Sequence, residues 1–315
     1  MSPRDTYSQP DAPDPVLPDE LVLELARGQL PNRVQVSRVT AVDESGGEAR
    51  AYVLDAGVVV KVQRPHRLRP RTSLRKEARL LEALVPSLPG RIPMVFGYDA
   101  VATHAGAVEF IVMSRVVGEA VRNVTVTPAG RRRLLGEVAD VLRAVHALDA
   151  APLGDGALLP ADDDGSDLRQ RLELAFADLV AVLERTPDAW TLRVSPQEVA
   201  ARAVAAIPDE WGPAVVLHSN PGPTHVFVEK SGTFTGVIDF GDAYRSHRAL
   251  DLRSWPDPAD RVWLHEAYLD GDAPTAEFER VWTVAMLHAD LAAIAGRPSL
   301  ATRAGEDILL RLAWL

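Results

Sequence analysis

Cysteine is absent from the 315 residues. Disulfides, thiolate zinc sites and cysteine nucleophiles are thereby excluded. Long apolar runs are missing too. The best stretch, Thr283 to Ala295, is interrupted by His288 and Asp290, so no membrane span is expected. The first twenty residues lack the apolar core of a signal peptide, and a cytoplasmic protein is the expectation. Basic residues are the minority sign, 34 against 44 acidic, for a formal net charge of −10. That balance argues against a nucleic-acid backbone as partner. An acidic surface serves solubility, and it admits a cationic small molecule without requiring one. There is no Gly-x-Ser-x-Gly elbow, no His-Glu-x-x-His zinc helix and no internal repeat.

What is present reads as a folded chain of two lobes, since 315 residues exceed what one hydrophobic core usually organises. Residues 1 to 19 hold five prolines and many polar groups and read as a flexible leader. A short helical pattern follows, Glu20 to Arg27. From Val34 to Val62 short β-branched runs are broken by glycines, the pattern of antiparallel strands joined by tight turns. Leu74, Ala78, Leu81 and Leu84 recur at helical spacing within Ser73 to Leu84. Val108 to Val112 reads as a strand. Thr127 before Pro128 starts a long helix with a buried face from Leu134 to Leu148. Leu153 to Asp167 reads as a loop whose Asp162, Asp163 and Asp164 are solvated, with attraction of a cationic substrate as the alternative. Helices are expected over 168–185 and 196–207, and short strands at 215–217, 225–228 and 235–238. The rest, from Ala259, is mostly helical. Strands thus dominate the first third and helices the remainder.

Two clusters carry chemistry. Lys61 lies among Val58, Val59, Val60 and Val62. A lysine there either sends its head out to water from an edge strand or needs a buried partner. Glu77, on the next helix, is the candidate partner, and a lysine so held can grip nucleotide phosphates. The second cluster runs Val215-Val-Leu-His-Ser-Asn-Pro-Gly-Pro-Thr-His-Val-Phe-Val228 and then Gly236-Val-Ile-Asp-Phe-Gly-Asp-Ala243. Apolar strands there end in His218, Asn220, His225 and Asp239. A carboxylate leaving a strand before Phe240 and Gly241 is placed to hold a divalent cation, or it forms a simple turn.

These residues resemble the aminoglycoside-phosphotransferase and choline-kinase-like family, from about Val34 to Trp255. The parts occur in the family's order: Ser45, Gly46 and Gly47 of a first hairpin, Lys61, Glu77, and a hinge strand ending near Met113 to Val116. The helix ending Arg143-Ala-Val-His-Ala-Leu148 follows. The loop from His218 to His225 comes next, then Asp239, fourteen residues beyond His225, and Ala249-Leu-Asp-Leu252. The resemblance implies an α+β, protein-kinase-like bilobal fold. Its nucleotide-binding lobe would span 20–116 and its helical lobe, with the acceptor pocket, 117–315. It implies ATP or GTP and Mg²⁺ as cofactors, and a small molecule, such as an antibiotic, whose hydroxyl is phosphorylated. Lys61 would hold phosphates, Glu77 would hold Lys61, and Gly46 and Gly47 would cover the phosphates. Met113, Ser114 and Val116 would contact the base, and Asp239 and His225 would bind metal.

One position departs from the family. Its loop reads His-Gly-Asp, with an asparagine metal ligand five residues on. Here it reads His218-Ser219-Asn220, and His225 stands at the asparagine position, as in macrolide-phosphotransferase-like members. A carboxylate accepts a hydroxyl proton and a carboxamide does not, a loss that typically costs about 10²–10⁴ in rate. His218 and Asn220 are the catalytic-loop candidates, His218 reading as a support for the backbone. Two readings stay open: a phosphotransferase that works with Asn220, or an impaired kinase-like binding protein. Asp242 reads as a cap or turn former ahead of a catalytic role, and His265, His288, Trp255, Trp263 and Trp282 as packing residues, with the lining of the acceptor pocket that the resemblance puts in the helical lobe as the alternative.

Overall fold

The computed structural model describes residues 15–44, 46–68, 72–104, 106–153, 158–162 and 165–315. Ser45, Asp163, Asp164 and residues 1–14 therefore lie outside the described residues.

Helix α1 (Asp19–Gln29) precedes a five-stranded antiparallel sheet of β1 (Val39–Asp43), β2 (Ala49–Leu54), β3 (Val58–Gln63), β4 (Val95–Thr103) and β5 (Gly106–Ser114), ordered β1-β2-β3-β5-β4. Alternation along β3 divides its side chains between two faces. Val58, Val60 and Val62 are buried beside Val22, Leu23 and Ala26 of α1. Val59 and Lys61 face the other way, toward the rest of the molecule. Helix α2 (Leu74–Leu84) lies on that second face, joining Ile111 and Met113 to the main core. Ser73 caps α2 by accepting from the Lys76 amide at 3.4 Å, which places Glu77 in the first turn, where the helix dipole favours an anion.

Beyond β5, a two-residue strand β6 (Glu119–Ala120) leads to α3 (Pro128–His146). Thr127 accepts from the Gly130 amide, and Pro128 occupies the first turn, as its ring geometry favours. Helices α4 (Gly165–Arg185) and α5 (Pro196–Ala205) follow, then strands β7 (Val215–Leu217), β8 (Val226–Val228), β9 (Phe234–Val237) and β10 (Tyr244–Ser246). Strand β10 pairs with β7, and β8 sits between β6 and β9. A six-residue 3₁₀ helix (Arg248–Arg253) leads to α6 (Pro258–Leu269), α7 (Ala276–Gly296) and α8 (Ala301–Leu312). Helix α7 is the hub, with Phe278, Val281, Ala285, Leu287 and Leu291 fully buried. Each such leucine, valine or phenylalanine contributes about 1.5–3 kcal/mol relative to exposure. Among the described residues no helix is long and apolar enough to cross a membrane. The chain is thus a β-rich lobe joined to a mainly helical one, the bilobal α+β architecture expected.

Three sequence expectations change. Residues 15–18 are not loose: Leu17 is buried, its amide donates to the Tyr52 hydroxyl at 3.0 Å, and the Pro15 carbonyl accepts from Arg50 at 2.6 Å. Val34 and Val36 belong to no strand; β1 begins at Val39. Asp162 is not solvated. It is 2 % exposed, accepts from Arg171 and Ser246, and its amide donates to the Arg245 carbonyl at 2.9 Å, which ties the segment before α4 to β10.

Candidate active site

A groove of about 550 Å³ opens between the two lobes. Val59, Ala51 and Val53 of the sheet form its roof, and Phe227 and Ile238 form its floor. Met113, Ser114 and Val116 close one end, and Gly46 and Gly47 of the β1–β2 turn overhang the other. That turn is stapled by Arg64, which donates to the Gly46 carbonyl at 3.0 Å. Backbone order at the closed end comes from Ser114, whose amide donates to the Met94 carbonyl and whose hydroxyl accepts from the Met94 amide, each at 2.8 Å. An apolar slot between two walls, ending in polar backbone, suits a flat heteroaromatic ring.

Lys61 sits on β3, the middle strand of the sheet, and is 16 % exposed, which removes the edge-strand alternative. Its ammonium donates to Glu77 Oε2 at 2.7 Å and to Asp239 Oδ1 at 2.5 Å. Burial alone would lower the lysine pKa. The two carboxylates outweigh it and hold Lys61 well above its ordinary value. Burial likewise pushes Asp239 up, but Lys61 and His225 prevail and hold it well below the usual carboxylate range. Glu77 is raised, by its burial and by Asp239, against the pull of Lys61. One ammonium thus serves two carboxylates, and Glu77 Oε1 is buried without a hydrogen-bond partner among the described residues.

The loop after β7 is held by its backbone. Asp251, fully buried, accepts from the amides of His218 at 2.7 Å and Ser219 at 2.8 Å, and pairs with His146 Nε2 at 3.1 Å. His146 in turn meets the Tyr268 hydroxyl at 2.8 Å. Ser219 adopts φ +84°, a left-handed conformation that suits glycine. Asp239 is left-handed as well, at φ +74°.

His218 does not reach the groove. It is fully buried, its Nε2 donates to the Ile238 carbonyl at 3.0 Å and its Nδ1 accepts from the Asn220 amide at 3.3 Å. Burial lowers its pKa. With both ring nitrogens engaged, it supports the backbone and has no lone pair for a substrate, so its place among the catalytic candidates is not sustained. Asn220 is exposed in the groove, and its carboxamide makes no hydrogen bond among the described residues.

His225 lies between Asn220 and Asp239. Its Nδ1 is 2.8 Å from the Asn220 carbonyl oxygen, and its Nε2 is 3.2 Å from Asp239 Oδ2. A carbonyl only accepts, so Nδ1 carries the hydrogen. A charged ring pairs with Asp239 directly through Nε2, and a ring that has given up that proton would present Nε2 as a lone pair beside Oδ2, two donors that a divalent cation can share. The gap is close to the roughly 3 Å between adjacent ligands of an octahedral ion with ligand distances of 2.0–2.1 Å. One hard oxygen with phosphate oxygens is the usual protein share of a Mg²⁺ site, so Asp239 fits that ion and His225 fits it less well. Among the described residues no three His, Asp or Glu side chains converge into a metal cage by themselves.

The groove therefore gathers Gly46, Gly47, Lys61, Glu77, Met113, Ser114, Val116, Asn220, His225 and Asp239. Sequence reasoning missed Phe227 and Ile238 of the floor. The signal was available for Phe227, since Val226 and Val228 on either side are buried and alternation turns it to the groove. It also missed that Asp242 lines the groove, where it accepts from the Thr72 hydroxyl across the lobes.

The Phosphotransferase enzyme family (APH) matches residues 39–292. No curated protein sequence matches the chain. Among solved structures, the apoenzyme of a macrolide 2′-phosphotransferase from Brachybacterium faecium superposes with a TM-score of 0.56 at 21% identity, covering 93% of this chain and 96% of that one. The GDP complex of wild-type aminoglycoside 2′-phosphotransferase-IIIa gives a TM-score of 0.60 at 15% identity, covering 94% and 99%. A streptomycin–ATP ternary complex of APH(2″)-IIa gives 0.50 at 16% identity, covering 94% and 97%. At these identities the structures speak for a shared fold, and the family match spans well over half of the sequence. The chain belongs to the phosphotransferase enzyme family and carries its protein-kinase-like fold.

Proposed function

We propose that this chain is a small-molecule kinase that moves the γ-phosphate of ATP or GTP to a hydroxyl of its acceptor. One observation carries the reading: Lys61 is held between Glu77 and Asp239 at the phosphate end of a slot that suits a purine. Phosphoryl transfer needs positioned charge more than covalent chemistry. Lys61 holds the α- and β-phosphates, Glu77 fixes Lys61, and backbone N–H groups at Gly46 and Gly47 cover the phosphates. Met113, Ser114 and Val116 contact the base. When bound through Asp239 and His225, Mg²⁺ supplies charge neutralisation on the phosphates. Asn220 orients the attacking hydroxyl through its amide oxygen. In this reading residues 20–116 form the nucleotide lobe and 117–315 the acceptor lobe, and the protein works in the cytoplasm, where nucleoside triphosphates are abundant. The related structures hold aminoglycosides such as streptomycin and gentamicin, which makes an antibiotic the first acceptor to try.

The test is thermal. ATP or GTP with Mg²⁺ raises the melting temperature of the wild type, and Asp239→Ala abolishes the rise. A wild type that shows no shift with either nucleotide removes the reading. Asn220 favours a second reading, an impaired nucleotide-binding or regulatory protein. Phosphate transfer or ATP hydrolysis by the wild type, beside Asn220→Asp, separates the two. Impairment predicts a rise of about 10²–10⁴ on restoring the carboxylate, and brisk wild-type turnover that Asn220→Asp leaves unchanged rejects it.

A further inference from the structure

We infer that His225 is a specificity residue for the divalent cation, and that it shifts this site from Mg²⁺ toward Mn²⁺. The inference rests on the nucleotide reading above and deepens it.

The argument begins with the ring. Its Nδ1 hydrogen is committed to the Asn220 carbonyl at 2.8 Å, which leaves Nε2 facing Asp239 Oδ2 at 3.2 Å, the nitrogen that becomes a ligand when a cation takes the place of its proton. A histidine that donates one ring N–H to a carbonyl and aims the other nitrogen at an anionic oxygen has the arrangement of a metal ligand held in orientation. The backbone is fixed as well: the His225 amide donates to the Gly222 carbonyl at 2.9 Å, and its own carbonyl accepts from the Ile238 amide at 3.0 Å. That second bond ties His225 to the residue before Asp239, so the two ligands move as a unit. Asp239 Oδ1 is already engaged by Lys61, which leaves Oδ2 as the oxygen that shares a cation with His225.

The donor set then decides the ion. Mg²⁺ demands hard oxygen ligands and gives up water reluctantly, whereas imidazole nitrogen suits first-row transition ions. Mn²⁺ accepts carboxylate, phosphate and imidazole together. An asparagine at this position would offer an oxygen and favour neither ion in this way.

Nucleotide titrations by calorimetry, with ADP and either Mn²⁺ or Mg²⁺, on the wild type and on His225→Asn test the inference. The expected result is a ratio of Mn²⁺ to Mg²⁺ affinity at least about tenfold larger in the wild type than in the variant. Comparing ratios removes the general preference of phosphates for Mn²⁺. Pulsed electron paramagnetic resonance of Mn²⁺–ADP on the wild type should show nitrogen coupling from one imidazole. That measurement needs no variant and stands if His225→Asn folds poorly. Equal ratios in the two proteins, or a wild-type spectrum without nitrogen coupling, overturn the inference. Tight binding of Mg²⁺–ADP with equal ratios leaves the nucleotide reading intact and sinks only the cation preference. No ADP binding with either cation or with none sinks both.

Discussion

Lys61→Met tests whether the groove is held by charge. Met retains the length of the aliphatic stem and removes the ammonium. Glu77 is 1 % exposed and would lose its only ion-pair partner among the described residues. Removing one member of a buried pair costs about 3–5 kcal/mol, because the remaining charge stays desolvated. Lys61 is itself 16 % exposed, so the lower end applies, about 3 kcal/mol. With an unfolding entropy near 2.1 cal/mol/K per residue, a chain of 315 residues melts about 4–5 °C lower for that loss.

The cost depends on pH in a defined direction. Glu77 already has a raised pKa from burial and from Asp239, and losing Lys61 raises it further. A carboxyl whose folded pKa lies above its unfolded value supports folding below the unfolded value, near 4.5, and loses that support as pH rises through the folded one. Lys61→Met should therefore approach wild-type stability near pH 5 and fall furthest behind at pH 8. Adding Glu77→Gln removes the stranded charge, and the double variant should regain most of the loss at pH 8, since replacing both partners is far cheaper than removing one. Urea midpoints at pH 5 and pH 8 for the three proteins decide it. A single variant as stable as wild type at pH 8, or a double variant no better than the single, refutes the reasoning.

The remaining predictions concern the loop and the helical lobe. Ser219 pays for a left-handed backbone at φ +84°, so Ser219→Gly should gain about 0.5–1 kcal/mol, seen as a small rise in urea midpoint; a fall would mean the hydroxyl matters more than the strain. Asp251→Asn replaces one accepting oxygen by a donor facing the amides of His218 and Ser219, and should cost about 2–4 kcal/mol in the same assay; a neutral outcome would show that the loop does not depend on Asp251. Burial, reinforced by Arg253, pushes His288 down to about 3, and burial pushes His247 down to about 4 despite Glu277. Both contribute stability above about pH 6.5 that is lost as pH falls toward those values, each by up to about 1.4 kcal/mol per pH unit. His288→Leu should flatten the stability profile between pH 6 and pH 4, and an unchanged profile would show that His288 does not set it.

Much of the groove was legible because its residues sit at informative places in simple patterns. Lys61 betrays itself as a charge on an apolar alternating strand, and Glu77 by lying in the first turn of the next helix. Asp239 and His225 follow from apolar runs that end in polar groups. The losses have physical reasons too. Strand β4 escaped because, apart from its pairing with β5, it is half exposed and carries a register shift between Val95 and Gly97, so no alternation shows. Asp162 was hidden within a run of three aspartates, where only the fold could show that one of them meets Arg171. The support from Tyr268 through His146 to Asp251 joins residues more than a hundred positions apart, and no local pattern encodes it.

The loop shows how far backbone and chemistry can separate. Its main chain is built as if a glycine followed His218: position 219 is left-handed, two amides converge on Asp251, and His218 ties the strand ends together. None of these contacts uses the side chain of residue 220, which stands exposed in the groove. The fold therefore places no demand on whether that residue is Asp or Asn. In the proposed reading the difference between them falls on proton transfer, and the cluster of Lys61 with Glu77 and Asp239 makes no hydrogen bond with the Asn220 side chain among the described residues. In that reading binding and transfer are separately adjustable at the level of side chains: the Asn220 backbone carbonyl supports His225 and so belongs to the binding half, whereas its carboxamide takes no part in holding Lys61, Glu77 or Asp239.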